Sequence, residues 1–132
     1  MKLLNDILTG LCMLDKPERM EYLDKFETYF QKGIYADVFK TISVLTMLDE
    51  EITSYTICKA LKESGKTNLS EKYYEIACTA DRAEMVKQND KILTGANPYI
   101  FDRSEFDNTN YAAMLDGYLQ ELHTLYLMRT AI

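Results

Sequence analysis

Apolar residues recur at intervals of three and four through nearly the whole of this chain, and no run alternates with a period of two for long enough to build a strand. That spacing constrains the fold more than any other feature and predicts an all-α protein. Leu4, Ile7, Leu8 and Leu11 form the first helical stripe. Asp15 is placed to cap a second helix, with Pro17 tolerated in its first turn and Glu18 at capping-box spacing. Leu23, Phe26 and Phe30 supply its buried face, flanked by Met20, Tyr22 and Tyr29, and Gly33 is the expected stop. A third helix turns Tyr35, Val38, Phe39, Ile42 and Leu45 inward. A fourth is expected from near Asp49 to Gly65, carrying Ile52, Tyr55, Ile57, Cys58 and Leu61. A fifth, capped by Thr67 or Asn68, carries Leu69, Tyr73, Ile76, Ala77 and Ala80 and runs on through Val86 toward Leu93.

Residues 95–109 break the pattern with Gly, Asn, Pro, Asp and Ser and read as the one long loop, anchored by Tyr99, Phe101 and Phe106. Tyr111, Met114, Leu115, Tyr118, Leu119, Leu122, Leu125 and Tyr126 then mark a final helix. Gly117 within it suggests a close helix contact. The expected organisation is a single domain over 1–132. It comprises five to six helices in stacked antiparallel hairpins over 1–94, as an array or a compact bundle, then the loop and a capping helix at 110–130.

Self-comparison adds a second constraint. Gly33 to Asp49 and Gly65 to Asp81 align at one offset, with Leu45 on Ala77 and Ile42 on Tyr74. The opening helix joins at a similar offset, Leu8 falling on Ile42 and Leu11 on Leu45. Over about residues 1–84 the chain resembles tetratricopeptide repeats. The best copy, 51–84, has Ile57 before small Cys58, then Leu61, Gly65, Tyr74, Ala77 and Asp81; a weaker copy covers 19–50. Ser54, Ser70, Arg82 and Phe26 depart from the family's preferences. The resemblance implies a right-handed array whose concave groove is lined by Met20, Leu23, Glu27, Phe30, Ile52, Tyr55, Lys59 and Lys62. It does not imply the family's carboxylate clamp, because Leu23, Glu27 and Tyr55 cannot supply the required basic and amide side chains.

Composition excludes other classes. The formal charge of −6 disfavours nucleic acid and anionic membranes, and residues 51–95 carry equal numbers of acidic and basic groups, so the excess lies at both ends. No apolar run is long enough for a membrane span, and Asn5 and Asp6 interrupt what a secretory leader would need. Cys12, Cys58 and Cys78, odd in number and widely spaced, do not form a disulfide framework and fit a reducing cytoplasm. Neither a metal-ligand cluster nor a phosphate-cradling glycine loop is present, so no cofactor is expected. His123, the sole histidine, flanks an apolar helix face and reads as structural. These features favour a non-enzymatic adaptor or small acidic chaperone that holds an amphipathic segment of another protein in a groove, with homodimerisation open to it. Ten tyrosines and seven methionines suit such contact surfaces. The alternative is a helix-turn-helix regulator using the 51–72 hairpin, where Lys59, Lys62, Lys66 and Lys72 concentrate.

The final helix is expected to complete the core. A chain truncated at Asp107 should be molten or aggregating, and a cooperative melt of a soluble truncation would refute this.

Overall fold

The computed structural model describes residues 2–66, 68–92 and 111–130. Among these there are six α-helices and no strand: α1 (Lys2–Met13), α2 (Lys16–Phe26), α3 (Ile34–Met47), α4 (Ser54–Glu63), α5 (Glu71–Ile92) and α6 (Tyr111–Thr130), with one 3₁₀ turn at Glu27–Tyr29. The chain is all-α, as its periodicity predicts. The expected 95–109 loop and the 94/95 boundary lie outside the described residues.

Local chemistry sets the start of α2, both ends of α3 and α4, and the start of α5. Asp15 caps α2 as expected, its carboxylate accepting from the Glu18 amide. Gly33 does not stop that helix. α2 closes at Phe26 and tightens into the 3₁₀ turn, and Gly33 precedes α3 with φ 92°, a conformation that glycine adopts without strain. The fourth helix starts later than the sequence suggests, at Ser54. Asp49 instead sits in the left-handed region just past α3, where the Asp49 and Glu50 amides close onto Thr46 and Leu45 carbonyls. Gly65 ends α4 the same way, its own amide and that of Lys66 bonding Lys62 and Leu61 carbonyls. Thr53 and Thr56 form a reciprocal capping box at the start of α4. At α5 the cap is Ser70, whose Oγ accepts from the Tyr73 amide, rather than Asn68; the Thr67 alternative is outside the described residues.

Consecutive helices pack as neighbours, α2 on α3, α3 on α4 and α4 on α5, while α1 lies across α5 and α6 and also touches α2. Contact between α1 and α5 is not part of an array in which each hairpin meets only the next. It closes the helices into a compact bundle, the second of the two architectures expected. α6 covers α1 and α2 as the capping helix. The offset that aligns Leu45 with Ala77 joins two buried residues. It also pairs fully buried Ile42 with exposed Tyr74, and Asp49 in a turn with Asp81 inside α5.

The core runs from Ile7, Leu8 and Leu11 of α1 through Phe26, Val38, Phe39 and Ile42 to Ile57, Leu61, Ile76, Ala77 and Leu115. The close helix crossing is at Gly10, not Gly117. A Cβ on Gly10 would lie 2.9 Å from the Met114 methyl and 3.0 Å from Leu115 Cδ2, whereas nothing stands within 4 Å of one on Gly117. Met114 can swing aside; Leu115 is fully buried and cannot. Polar bonds fix the adjoining contact of α6 with α2. The Tyr22 hydroxyl donates to Asp116 Oδ1 at 2.9 Å and lies 3.2 Å from the Ala112 carbonyl. Burial first, and the Asp116 carboxylate second, push its pKa up to about 12.

Gly10→Val should therefore cost about 1–3 kcal/mol by overpacking against Leu115, while Gly117→Ala should stabilise by about 0.5–1 kcal/mol through helix propensity; urea denaturation measures both. Tyr22→Phe should cost about 0.5–1.5 kcal/mol at neutral pH. The folded-state pKa of Tyr22 lies above its ordinary value, so its contribution is complete below the ordinary tyrosine pKa. That contribution should decline as pH rises from there toward about 12. Melts of the two proteins across that interval should converge.

Candidate functional site

The apolar stripe of α3 faces the core through Val38, Phe39, Ile42 and Leu45, yet Val44 and Met47 of α3 and Leu48 at its C-cap lie off that stripe, and all three are more than half exposed. Beside them, α2 ends in a 3₁₀ turn, which swings Phe30 back under α3. The Phe30 and Phe39 rings stack with centroids 4.5 Å apart and an interplanar angle of 3°. The result is a groove of about 650 Å³ between α2 and α3. Leu23, Phe30 and Phe39, all nearly buried, form its floor; Met20, Val44 and Met47 are its apolar rim; Asp24 and Glu27 edge the α2 side and Lys40 the α3 side.

Met20, Leu23, Glu27 and Phe30, four of the eight residues that the sequence places along one groove, line this one. The other four candidates do not join it. Tyr55, Lys59 and Lys62 line a second groove of about 500 Å³ with Cys58, Leu69 and Tyr74, between α4 and the start of α5. Ile52 faces a small hollow of about 190 Å³ with Cys12, Arg19 and Glu50. The single concave groove lined by first helices is replaced by furrows between successive helices. The reason is the closure of α1 against α5. A smaller hollow of about 440 Å³ joins these two grooves, with Val44 of α3 and Leu48 just past its end opposite Tyr55 and Lys59 of α4. Val44 belongs to both the first groove and this hollow, and Tyr55 to both the hollow and the second groove. An apolar band therefore runs from Met20 over Met47, Val44 and Leu48 to Tyr55 and Tyr74. Sequence reasoning missed Val44, Met47, Leu48 and Tyr74. Their visible signal was apolar character off the buried stripe of an amphipathic helix.

The charged edges differ along the band, acidic at α2 and basic at Lys59 and Lys62. Of the lysines in the 51–72 hairpin, Lys66 lies 3.7 Å from Asp37 and Lys72 3.7 Å from Glu75. Seven residues separate α4 from α5, more than the three or four of a DNA-binding helix-turn-helix. His123 is exposed on α6, its Nδ1 3.3 Å from the Tyr29 hydroxyl. Among the described residues no group of three or more His, Cys, Asp or Glu side chains is placed to hold a metal ion, and no helix is long and apolar enough to cross a membrane.

A scan against protein-family models, a search of curated proteins and a search of solved structures each find no match.

Proposed function

We propose that this protein is a non-enzymatic adaptor or small chaperone that holds an amphipathic segment of another protein against its α2–α3 groove. One observation carries the reading. A floor of nearly buried Leu23, Phe30 and Phe39 is bordered by exposed Met20, Val44 and Met47, with charge confined to the edges. An amphipathic helix seats one apolar face in such a groove and leaves its polar face in water. Methionine at the rim suits the role, since its unbranched side chain adapts to varied partners. The polarity of the edges supports an occupant with cationic residues beside Asp24 and Glu27 and anionic residues toward Lys59 and Lys62.

The tetratricopeptide-like reading enters the same proposal only as paired hairpins within the closed bundle, α2 with α3 and α4 with α5, and not as an open array. Homodimerisation is assigned to the exposed end of α6, where Leu125 and Met128 face outward. A cytoplasmic setting belongs to the same proposal, supported by cysteines that are odd in number and widely spaced in the sequence.

A photoreactive residue at Val44 in cells of origin should form an adduct with a discrete polypeptide. Met47→Glu in the same chain should abolish that adduct while leaving the melting temperature unchanged, because Met47 is exposed. The same probe at exposed Glu121 on α6 is the control. Equal labelling from both positions, or labelling indifferent to Met47→Glu, would overturn the proposal.

A further inference from the structure

The widely spaced Cys58 and Cys78 are brought together by the register of α4 on α5. The Ser54 amide at the start of α4 donates to Asp81 Oδ1 at 2.9 Å. At the other end of the pair, Tyr74 of α5 shares a groove with Lys62 and Leu69. As α4 advances from Ser54 to Lys62, its neighbours on α5 recede from Asp81 to Tyr74, so the helices are antiparallel. One turn after Ser54 stands Cys58, and one turn before Asp81 stands Cys78. The two side chains therefore face each other across the helix contact. Each thiol is half-buried, and Cys58 also lines two surface grooves.

From this juxtaposition we infer that Cys58 and Cys78 are a reversible redox pair, closed to an intramolecular disulfide by a low-molecular-weight disulfide oxidant. Cys58, open to the grooves, is the attacking residue. Its thiolate attacks one sulfur of the oxidant, expelling the other half as a thiolate and leaving a mixed disulfide on Cys58. The Cys78 thiolate then attacks Cys58 Sγ, expels the second half of the oxidant and completes the Cys58–Cys78 bond. The two protein thiols lose two electrons and two protons, and the oxidant is reduced to two thiols. Burial, the neighbouring thiol and Asp81 raise the Cys58 pKa. Burial and Asp81 raise that of Cys78, against a lowering by the Tyr74 hydrogen bond. The reaction is therefore slow and favoured by mild alkali, unlike that of an exposed, acidic sensor thiol. The closed pair clips α4 to α5 beside Tyr55 and Tyr74, at the end of the apolar band.

The test treats the full chain with oxidised glutathione in mildly alkaline buffer and follows intact mass and linked peptides. The wild type and Cys12→Ser should each lose the mass of two hydrogens and yield a Cys58–Cys78 peptide, with a raised melting temperature that reductant reverses. Cys58→Ser and Cys78→Ser should give at most a glutathione adduct and no such rise. Persistence of all thiols in the wild type, a stable glutathione adduct on it, or linkage between two chains would each overturn the inference. Thermal melts of the untreated serine variants confirm that they fold, so a missing disulfide reads as a missing partner.

Discussion

The second half of α1 has no exposed side. Ile7, Leu8, Thr9, Gly10, Leu11 and Cys12 are buried in succession, and a helix end placed inside a protein leaves carbonyls that water cannot reach. Arg19 resolves this. Its Nε donates to the Leu11 carbonyl at 2.9 Å, and its Nη2 to Leu14 at 2.7 Å and Cys12 at 3.4 Å. Burial lowers the guanidinium's pKa, yet the group starts so high that it stays charged. The cation thus meets the negative end of the α1 dipole as well as its orphan acceptors. One side chain from α2 therefore satisfies the end of α1, against which α2, α5 and α6 pack.

With α1 in the middle, α5 and α6 must both reach it. α5 does so with small residues, Ala77, Ala80 and Ala83, which allow close approach. For α6 the means is Gly10, which removes a side chain where Leu115 crosses. This closure decides where open surface remains. An array would leave a concave face along its first helices. A bundle closed by α1 against α5 turns those positions into floors and edges between neighbouring helices, with Leu23 and Phe30 beneath the surface while Val44 and Met47 stand at it.

Much of this was legible in the chain. The inward residues of α3 and the cap at Asp15 follow from spacing and capping chemistry alone, since both are local. Asp49 was misread because an aspartate that caps a following helix and one that closes a preceding helix in the left-handed region look alike in sequence. Gly10 was passed over and Gly117 chosen because the value of a helical glycine depends on which helix crosses it, a fact of tertiary structure. The six consecutive buried residues of α1 were likewise hidden. Periodicity shows one apolar face, whereas Thr9, Gly10 and Cys12 are buried because they are small and Thr9 bonds its own backbone at Asn5. The groove was half legible: the α2 wall followed from the hairpin pattern, but the α3 wall required knowing that no helix among the described residues covers Val44, Met47 and Leu48.

α4 is held by two fully buried side chains, Ile57 and Leu61. Its position depends correspondingly on polar contacts at its two ends. Asp81 receives the Ser54 amide at one end. Beyond the other, the Tyr73 hydroxyl donates to Asp37 at 2.6 Å and Lys66 approaches the same carboxylate. Hydrophobic burial tolerates sliding along a helix axis, but the Ser54–Asp81 hydrogen bond at the start of α4 and the Lys66–Asp37 ion pair just past its end oppose such a slide. That register sets Tyr55 against Leu48, Tyr74 against Lys62, and Cys58 opposite Cys78. The apolar band, the hollow that joins its two grooves and the thiol pair are in this sense three consequences of one placement. A change that moves α4 by a turn would alter all of them together while leaving the α1-centred core largely in place.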